Sequence, residues 1–131
     1  MSKYILVLIV IAFITYLIEL PIIIIDFYKF TSFKYLNAIV LMVNFFTNII
    51  LNGIIIPIQS YYISDIPNSF IIVILELFII FVEYFLYKIA FKEFSKSINF
   101  KKKLLFKTII ANICSFTLGL LIINLYHNYI S

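Results

Sequence analysis

Four long apolar blocks, separated by short polar segments, make up most of the chain. They cover about residues 4–25, 36–58, 69–91 and 104–126. A run of 18 or more apolar residues is long enough to cross a bilayer, because about 20 helical residues span the ~30 Å hydrocarbon core. Strands of a membrane barrel alternate apolar and polar residues, and these blocks do not. The sequence therefore predicts an all-α fold, a polytopic membrane four-helix bundle that forms one transmembrane domain over residues 1–131.

Composition excludes several classes of function. The chain is 65% hydrophobic with a mean hydropathy of +1.17, whereas soluble domains are nearer half apolar. It contains no HExxH, CxxC, P-loop or GxSxG motif, and no strand-to-helix context in which such a motif works. We therefore expect no enzyme activity, no catalytic residues, no metal site, no cofactor and no nucleic-acid partner, and we expect the lipid bilayer to surround the protein.

The lysines predict one orientation in a cell (inner or plasma) membrane. All ten basic residues are lysines, and nine of them lie in or beside the first and third loops. The second loop, 59–68, and the C-terminal end have none. Because cytoplasmic loops of membrane proteins are enriched in lysine, loops 26–35 and 92–103 are predicted to be cytoplasmic and both termini outside. We also expect residues 91–103 to form a short amphipathic helix at the interface, with Phe91, Phe94, Ile98 and Phe100 toward lipid.

The two halves of the chain resemble each other. Glu19 in the first block and Glu83 in the third are 64 positions apart. Asn44 in the second block and Asn112 in the fourth are 68 positions apart, and the longer third loop absorbs the difference. Since each half has two spans, both halves share one orientation. The pattern predicts two parallel two-helix pseudo-repeats related by an axis along the membrane normal.

Three glutamates lie inside the predicted spans: Glu19, Glu76 and Glu83. A charged residue at the centre of a span costs about 2.5–3.5 kcal/mol on insertion scales. We therefore interpret the three carboxyls as ion- or proton-binding residues. Pro21, two residues beyond Glu19, is predicted to kink the first helix and free carbonyl oxygens nearby.

Polar side chains on the second and fourth helices are the predicted supporting residues. They are Asn44, Asn48, Asn112 and Ser115. Asparagine amides can donate to a carboxylate, but they also tie helices together in proteins that have few small residues. A purely structural role for these stripes therefore remains an alternative.

The strings ELP, VNFFTNIILN, ELFIIFVE and ANICSFTLG resemble a group of small bacterial four-helix membrane proteins of unknown function. The resemblance covers most of the chain and implies the fold, without implying an activity. In size, and in having a glutamate in helix one, the chain is also similar to small multidrug-resistance transporters. It departs from that family in lacking tryptophan and glycine-rich spans and in its strong lysine bias.

Two functions follow from these observations. The first is a small cation- or proton-coupled transporter or channel that uses the intramembrane glutamates and acts as a homo-oligomer. The second is a non-transporting accessory, assembly or immunity-type subunit, whose polar stripes contact a partner membrane protein. Carboxyls that converge on one cavity favour transport, and carboxyls that point outward along separate seams favour a subunit.

Overall fold

The computed structural model describes residues 3–55, 68–94 and 96–130. The chain forms four long helices: α1 (Lys3–Phe27), α2 (Phe33–Asn48), α3 (Asn68–Ala90) and α4 (Ile98–Ile130). All four are long and apolar enough to cross a membrane, and the described residues contain no strand. The predicted all-α membrane four-helix bundle is confirmed.

The helix boundaries differ from the predicted blocks mainly in two places. The helix of α2 continues past Asn48 as a π-helix over Ile49–Ile55, a wider geometry that is rare and often lies near functional sites. Predicted residues 56–58 of this span, and the lysine-free loop as far as residue 67, lie outside the described residues. At the other place, α4 begins at Ile98 and not at 104, so Lys101, Lys102 and Lys103 belong to its first turns.

The helices pack in a ring in which each helix contacts two neighbours. The main contacts of α1 are with α2 and α4, and those of α3 are also with α2 and α4. The connecting residues 28–32 and 91–94 lie at one end of the bundle, which we call the lysine-rich end. The start of α1 and the end of α4 lie at the opposite end, which we call the terminal end.

An aromatic cluster fills the core at the lysine-rich end. The ring of Phe27 stacks on that of Phe91, with 5.5 Å between centroids and 18° between planes, and Phe100 meets both rings edge-on. Leu36, Leu104 and Tyr87 complete a layer that is inaccessible to solvent. Dense aromatic packing of this kind leaves no path for water through this end of the described bundle.

The predicted interfacial helix over 91–103 is wrong. Residues 91–94 form a turn, and Phe91 and Phe100 are buried while Phe94 packs against the same core. Only Ile98 of the four predicted lipid-facing residues is strongly exposed. The spacing of these aromatic residues is compatible with an amphipathic helix on lipid and with burial in the bundle core. Their contacts with Phe27 show that Phe91 and Phe100 are in the core.

Polar contacts fasten the helices at the lysine-rich end. Asp26 of α1 lies 3.1 Å from Lys103 Nζ and 2.6 Å from Lys107 Nζ, both on α4. At the opposite seam, the Tyr35 hydroxyl of α2 donates to the carbonyl of Ala90 at the end of α3, at 3.0 Å. The two interfaces between the halves, α1 with α4 and α2 with α3, are therefore each stabilised by a polar contact next to the aromatic layer.

Candidate functional site

Two carboxyl groups are buried at mid-depth in the bundle. Glu19 of α1 is 0% exposed and Glu83 of α3 is 2% exposed. Both lie on the core-facing side of helices whose other faces are strongly apolar, and both are one turn from the aromatic layer, next to Ile23 and Tyr87 respectively. The neighbours at four residues' spacing share these faces: Ile23 after Glu19, and Ile79 and Tyr87 on either side of Glu83, are all buried.

Glu19 accepts hydrogen bonds from two helices. The Asn44 amide nitrogen on α2 donates to Oε2 at 2.8 Å, and the Ser115 hydroxyl on α4 donates to Oε1 at 3.2 Å. One donor therefore comes from the same half of the chain as Glu19, and the other comes from the second half.

Glu83 accepts an equivalent pair of hydrogen bonds. The Asn112 amide nitrogen on α4 donates to Oε2 at 2.5 Å, and the Thr47 hydroxyl on α2 donates to Oε1 at 2.9 Å. Here too the amide belongs to the same half as the carboxyl and the hydroxyl belongs to the other half.

The two sites are related by the internal repeat. The offset of 68 that connects Asn44 with Asn112 also connects Thr47 with Ser115. Each half supplies one carboxyl, one amide to its own carboxyl and one hydroxyl to the carboxyl of the other half. This crossed arrangement is what two parallel two-helix repeats about a common twofold axis produce, and it supports the predicted pseudo-repeat.

The amides are held in one orientation by the backbone. Asn44 Nδ2 also donates to the Val40 carbonyl at 3.1 Å, and Asn112 Nδ2 also donates to the Thr108 carbonyl at 3.0 Å. A backbone carbonyl only accepts, so the nitrogen of each amide must face it. Both N–H hydrogens of each amide are thereby committed, one to a carboxyl and one to the preceding helical turn.

A partly open cavity adjoins the carboxyl pair on the side of the terminal end. It has a volume of about 180 Å³, room for several water molecules, and all four helices contribute to its wall. Glu83, Thr47, Asn112 and Ser115 form its inner end, and it extends past Ile79 and Glu76. The residues that line it include none from the aromatic layer, so the cavity stops at the carboxyl pair.

Two polar atoms next to the carboxyl pair have no protein partner. Asn44 is 1% exposed and its Oδ1 accepts no hydrogen bond, and Tyr87 is 0% exposed and its hydroxyl makes none. A buried polar atom without a partner is costly, because no hydrogen bond offsets its loss of hydration. Asn44 donates to Glu19, and Tyr87 lies one helical turn from Glu83 on α3, so both atoms are beside the carboxyls and behind the cavity wall.

The structure brings most of the predicted site residues together. Glu19, Glu83, Asn44, Asn112 and Ser115 form the hydrogen-bonded layer. The remaining predicted polar residues line the cavity: Glu76 is half-buried there, and Asn48 donates to the Asn44 carbonyl at 2.9 Å.

Pro21 lies apart from this layer. Its side chain is exposed on α1, and the helix runs without interruption from Lys3 to Phe27. The kink therefore stays a prediction, and Pro21 itself does not face the site.

Sequence reasoning missed Thr47 and Tyr87 as members of the site. The repeat contained the signal for Thr47, because subtracting 68 from Ser115 gives this position. Tyr87 lies one turn beyond Glu83 on the same face, but nothing in the sequence distinguishes its buried hydroxyl from that of an interfacial tyrosine.

Comparisons of the chain with protein-family models, with curated proteins and with solved structures return no match. The resemblance to small four-helix bacterial membrane proteins therefore stays a prediction.

Proposed function

We propose that this integral membrane protein is a small cation- or proton-coupled transporter or channel, with Glu19 and Glu83 as its binding site. The observation that carries the proposal is that both carboxyls connect to one cavity. Glu83 lines it directly, and Glu19 accepts a hydrogen bond from Ser115, which also lines it. Carboxyls that served only as contacts to a partner protein would point outward along separate seams.

The free energy needed to bury two carboxyls in the membrane supports a functional role for them. Two carboxyls at this depth stay in a bundle only if they are neutralised or strongly bound, because an isolated charge in hydrocarbon is expensive. The lysine ion pairs described in the structure involve Asp26, at the lysine-rich end, and not the glutamates. Because no lysine is described beside Glu19 and Glu83, a bound proton or small cation is the simplest way to balance their charge.

The shape of the bundle supports access from one side at a time. The cavity approaches the carboxyls from the terminal end, and the stacked rings of Phe27 and Phe91 close the lysine-rich end. With the lysine-rich loops in the cytoplasm, as the positive-inside rule predicts, the site faces outward in this conformation. A transporter requires a second conformation in which the aromatic layer opens, and separation of the α1–α4 and α2–α3 seams would provide it.

Glu76 fits the role of a residue on the approach to the site. It lies two helical turns from Glu83 on the same face of α3 and lines the cavity. A carboxylate at this position raises the local concentration of cations at the cavity mouth.

The test is a flux assay in proteoliposomes with a pH-sensitive dye inside, repeated with imposed gradients of sodium and potassium. We expect the wild type to carry protons or a cation, and Glu19→Gln and Glu83→Gln to reduce the flux at least tenfold. Glu93→Gln is the matched control, because Glu93 is exposed in the turn after α3. Flux that is absent from the wild type, or equal in all three variants, would refute transport through this site.

The second candidate is the accessory, assembly or immunity-type subunit. The observation in its favour is that each oxygen of both carboxyls already accepts a hydrogen bond, as contacts that merely tie a bundle together would. It predicts that Glu19→Gln and Glu83→Gln weaken the bundle, and with it the contact to a partner or to an oligomer, while flux is zero throughout. Size measurement of the detergent-solubilised variants beside the flux assay separates the two, and it also tests the predicted homo-oligomer.

A further inference from the structure

We infer that the ion taken up at this site is the proton, and that the hydroxyls of Thr47 and Ser115 reverse their hydrogen bonds when the carboxyls gain or lose it. This inference rests on the proposed function, since it names the ion for the same pair of carboxyls. The observation that supports it is that each hydroxyl has one hydrogen to donate and more than one acceptor within hydrogen-bond distance.

The Thr47 hydroxyl has a single hydrogen and three acceptors within reach. Glu83 Oε1 lies at 2.9 Å, the Val43 carbonyl at 3.0 Å and the Asn44 carbonyl at 3.2 Å. When Glu83 is ionised, the hydroxyl donates to Oε1. When Oε1 carries a proton, the carboxyl donates to Thr47 Oγ1, and the hydroxyl turns to donate to the Val43 carbonyl. Both states are fully hydrogen-bonded, and only one hydroxyl rotation separates them.

Ser115 offers the same alternative to Glu19. Its hydroxyl lies 3.2 Å from Glu19 Oε1 and 3.1 Å from the Asn112 carbonyl. The hydroxyl can therefore serve either the ionised carboxyl or, after rotation, the backbone of its own helix. The two halves of the chain thus contain the same rotating group at equivalent positions.

The amides, in contrast, cannot reverse. Both N–H hydrogens of Asn44 and of Asn112 are committed, and the carbonyl of the preceding turn fixes the nitrogen in place. The Oε2 atom of each glutamate therefore remains an acceptor in both states. The geometry assigns the exchangeable proton to Oε1, the atom that faces the hydroxyl.

This arrangement suits a proton better than a metal cation. A metal ion needs several oxygen ligands arranged around it. The carboxyl oxygens here meet amide N–H groups, which cannot ligate a cation, and the amide oxygens are turned away from the carboxyls. A proton needs only one acceptor oxygen and one neighbour that can accept from it in turn.

Other titratable groups near the pair must be controlled in a test. On α3 they are Glu76 and Tyr87, which interact electrostatically with the buried carboxyls. Tyr84 on α3 and Tyr16 on α1 are partly buried against the core, and the Tyr16 hydroxyl donates to Asn37. On α4 they are Cys114 and Lys107, the latter paired with Asp26.

The described part of α2 contributes no further titratable group near the pair, since residues 36–51 contain no titratable side chain. Glu76→Gln therefore removes the one other carboxyl that lines the cavity and serves as the background for the titration.

The experiment is a pH titration of the full-length protein in lipid vesicles, followed by infrared difference spectroscopy of the protonated carboxyl band. In the Glu76→Gln background we expect one carboxyl band to be lost in Glu19→Gln and a second in Glu83→Gln, while the bands of Asp26, Asp65 and Glu93 remain in both variants. Thr47→Val removes the donor to ionised Glu83, so the band of Glu83 should persist to higher pH, by about one pH unit for a roughly tenfold change in proton affinity. Thr47→Ser keeps the hydroxyl and should restore the wild-type midpoint.

Sodium or potassium added at constant pH should leave both bands unchanged. Bands that vanish when either cation is added, carboxyls that do not titrate, or a midpoint that Thr47→Val leaves unmoved would each overturn the inference. If Thr47→Val does not fold, Ser115→Ala makes the same test on Glu19. If the carboxyls titrate but the protein carries no flux, the proposed transport is refuted and the proton switch is not. If the protein carries flux but the carboxyls do not titrate, transport stands and the assignment of the proton as the ion is refuted.

Discussion

Phe27 and Phe91 stack on each other at 5.5 Å and occupy equivalent positions in the two halves of the chain. Their separation of 64 positions is the offset that also connects Glu19 with Glu83. In the same layer, Leu36 and Leu104 are both fully buried and are separated by 68, the offset of the asparagines. The repeat therefore extends from the carboxyl layer through the aromatic layer.

Loss of either stacked ring should destabilise the bundle and open its lysine-rich end. We expect Phe27→Ala and Phe91→Ala to lower the free energy of unfolding by about 3 kcal/mol each, because a large buried ring leaves a cavity. Equilibrium unfolding in mixed micelles measures this loss. Phe85→Ala is the control, since Phe85 is 53% exposed on the outer face of α3. Equal losses for Phe85 and Phe27 would show that the stack does not contribute.

The equivalence of the two asparagines is testable in the same assay. Asn44→Leu and Asn112→Leu each remove a donor to a buried carboxyl, so each should cost about 1–3 kcal/mol, and the two costs should be similar. Thr117→Val is a suitable control, because the Thr117 hydroxyl donates only to the Ile113 carbonyl of its own helix. A large loss for one asparagine and none for the other would contradict the symmetric site.

The cavity predicts where a thiol reagent reaches the bundle. In a Cys114→Ser background, Gly119→Cys should react with a membrane-impermeant maleimide, because Gly119 lines the cavity and a side chain at this position meets open space. Leu104→Cys, in the aromatic layer, should stay unreactive from both sides. A cavity thiol that reacts only when the lysine-rich side is exposed would reverse the proposed direction of access.

The orientation of the protein can be measured in intact cells. Glu93→Cys, exposed in the turn after α3, should be protected from an impermeant thiol reagent until the membrane is permeabilised. This follows from the lysines that surround the turn, since positively charged loops remain cytoplasmic. Immediate labelling in intact cells would place the lysine-rich end outside.

Sequence patterns predicted the fold well and the site in part. The apolar blocks are sufficient for four spanning helices, because a bilayer leaves few alternatives for a backbone that must satisfy its own hydrogen bonds. The repeat of Glu19 and Glu83 predicted that their helices are equivalent. The crossing of Thr47 and Ser115 to the opposite carboxyls was out of reach, because it depends on which helices become neighbours in the ring.

The burial of Phe91 and Phe100 was also unpredictable from periodicity. An apolar face at a helix end suits lipid and protein equally, and only the position of Phe27 at the same end of the bundle decides between them.

The crossed hydrogen bonds between the halves are tested most directly by the coupling free energy between Thr47 and Glu83. A double-mutant cycle with Thr47→Val and Glu83→Gln, read by unfolding in lipid micelles, should give a coupling of about 0.5–3 kcal/mol. The parallel cycle of Thr47→Val with Glu19→Gln should give a clearly smaller value, because Thr47 serves the carboxyl of the other half. Additive effects for Thr47 and Glu83, or stronger coupling of Thr47 to Glu19, would contradict the crossed site.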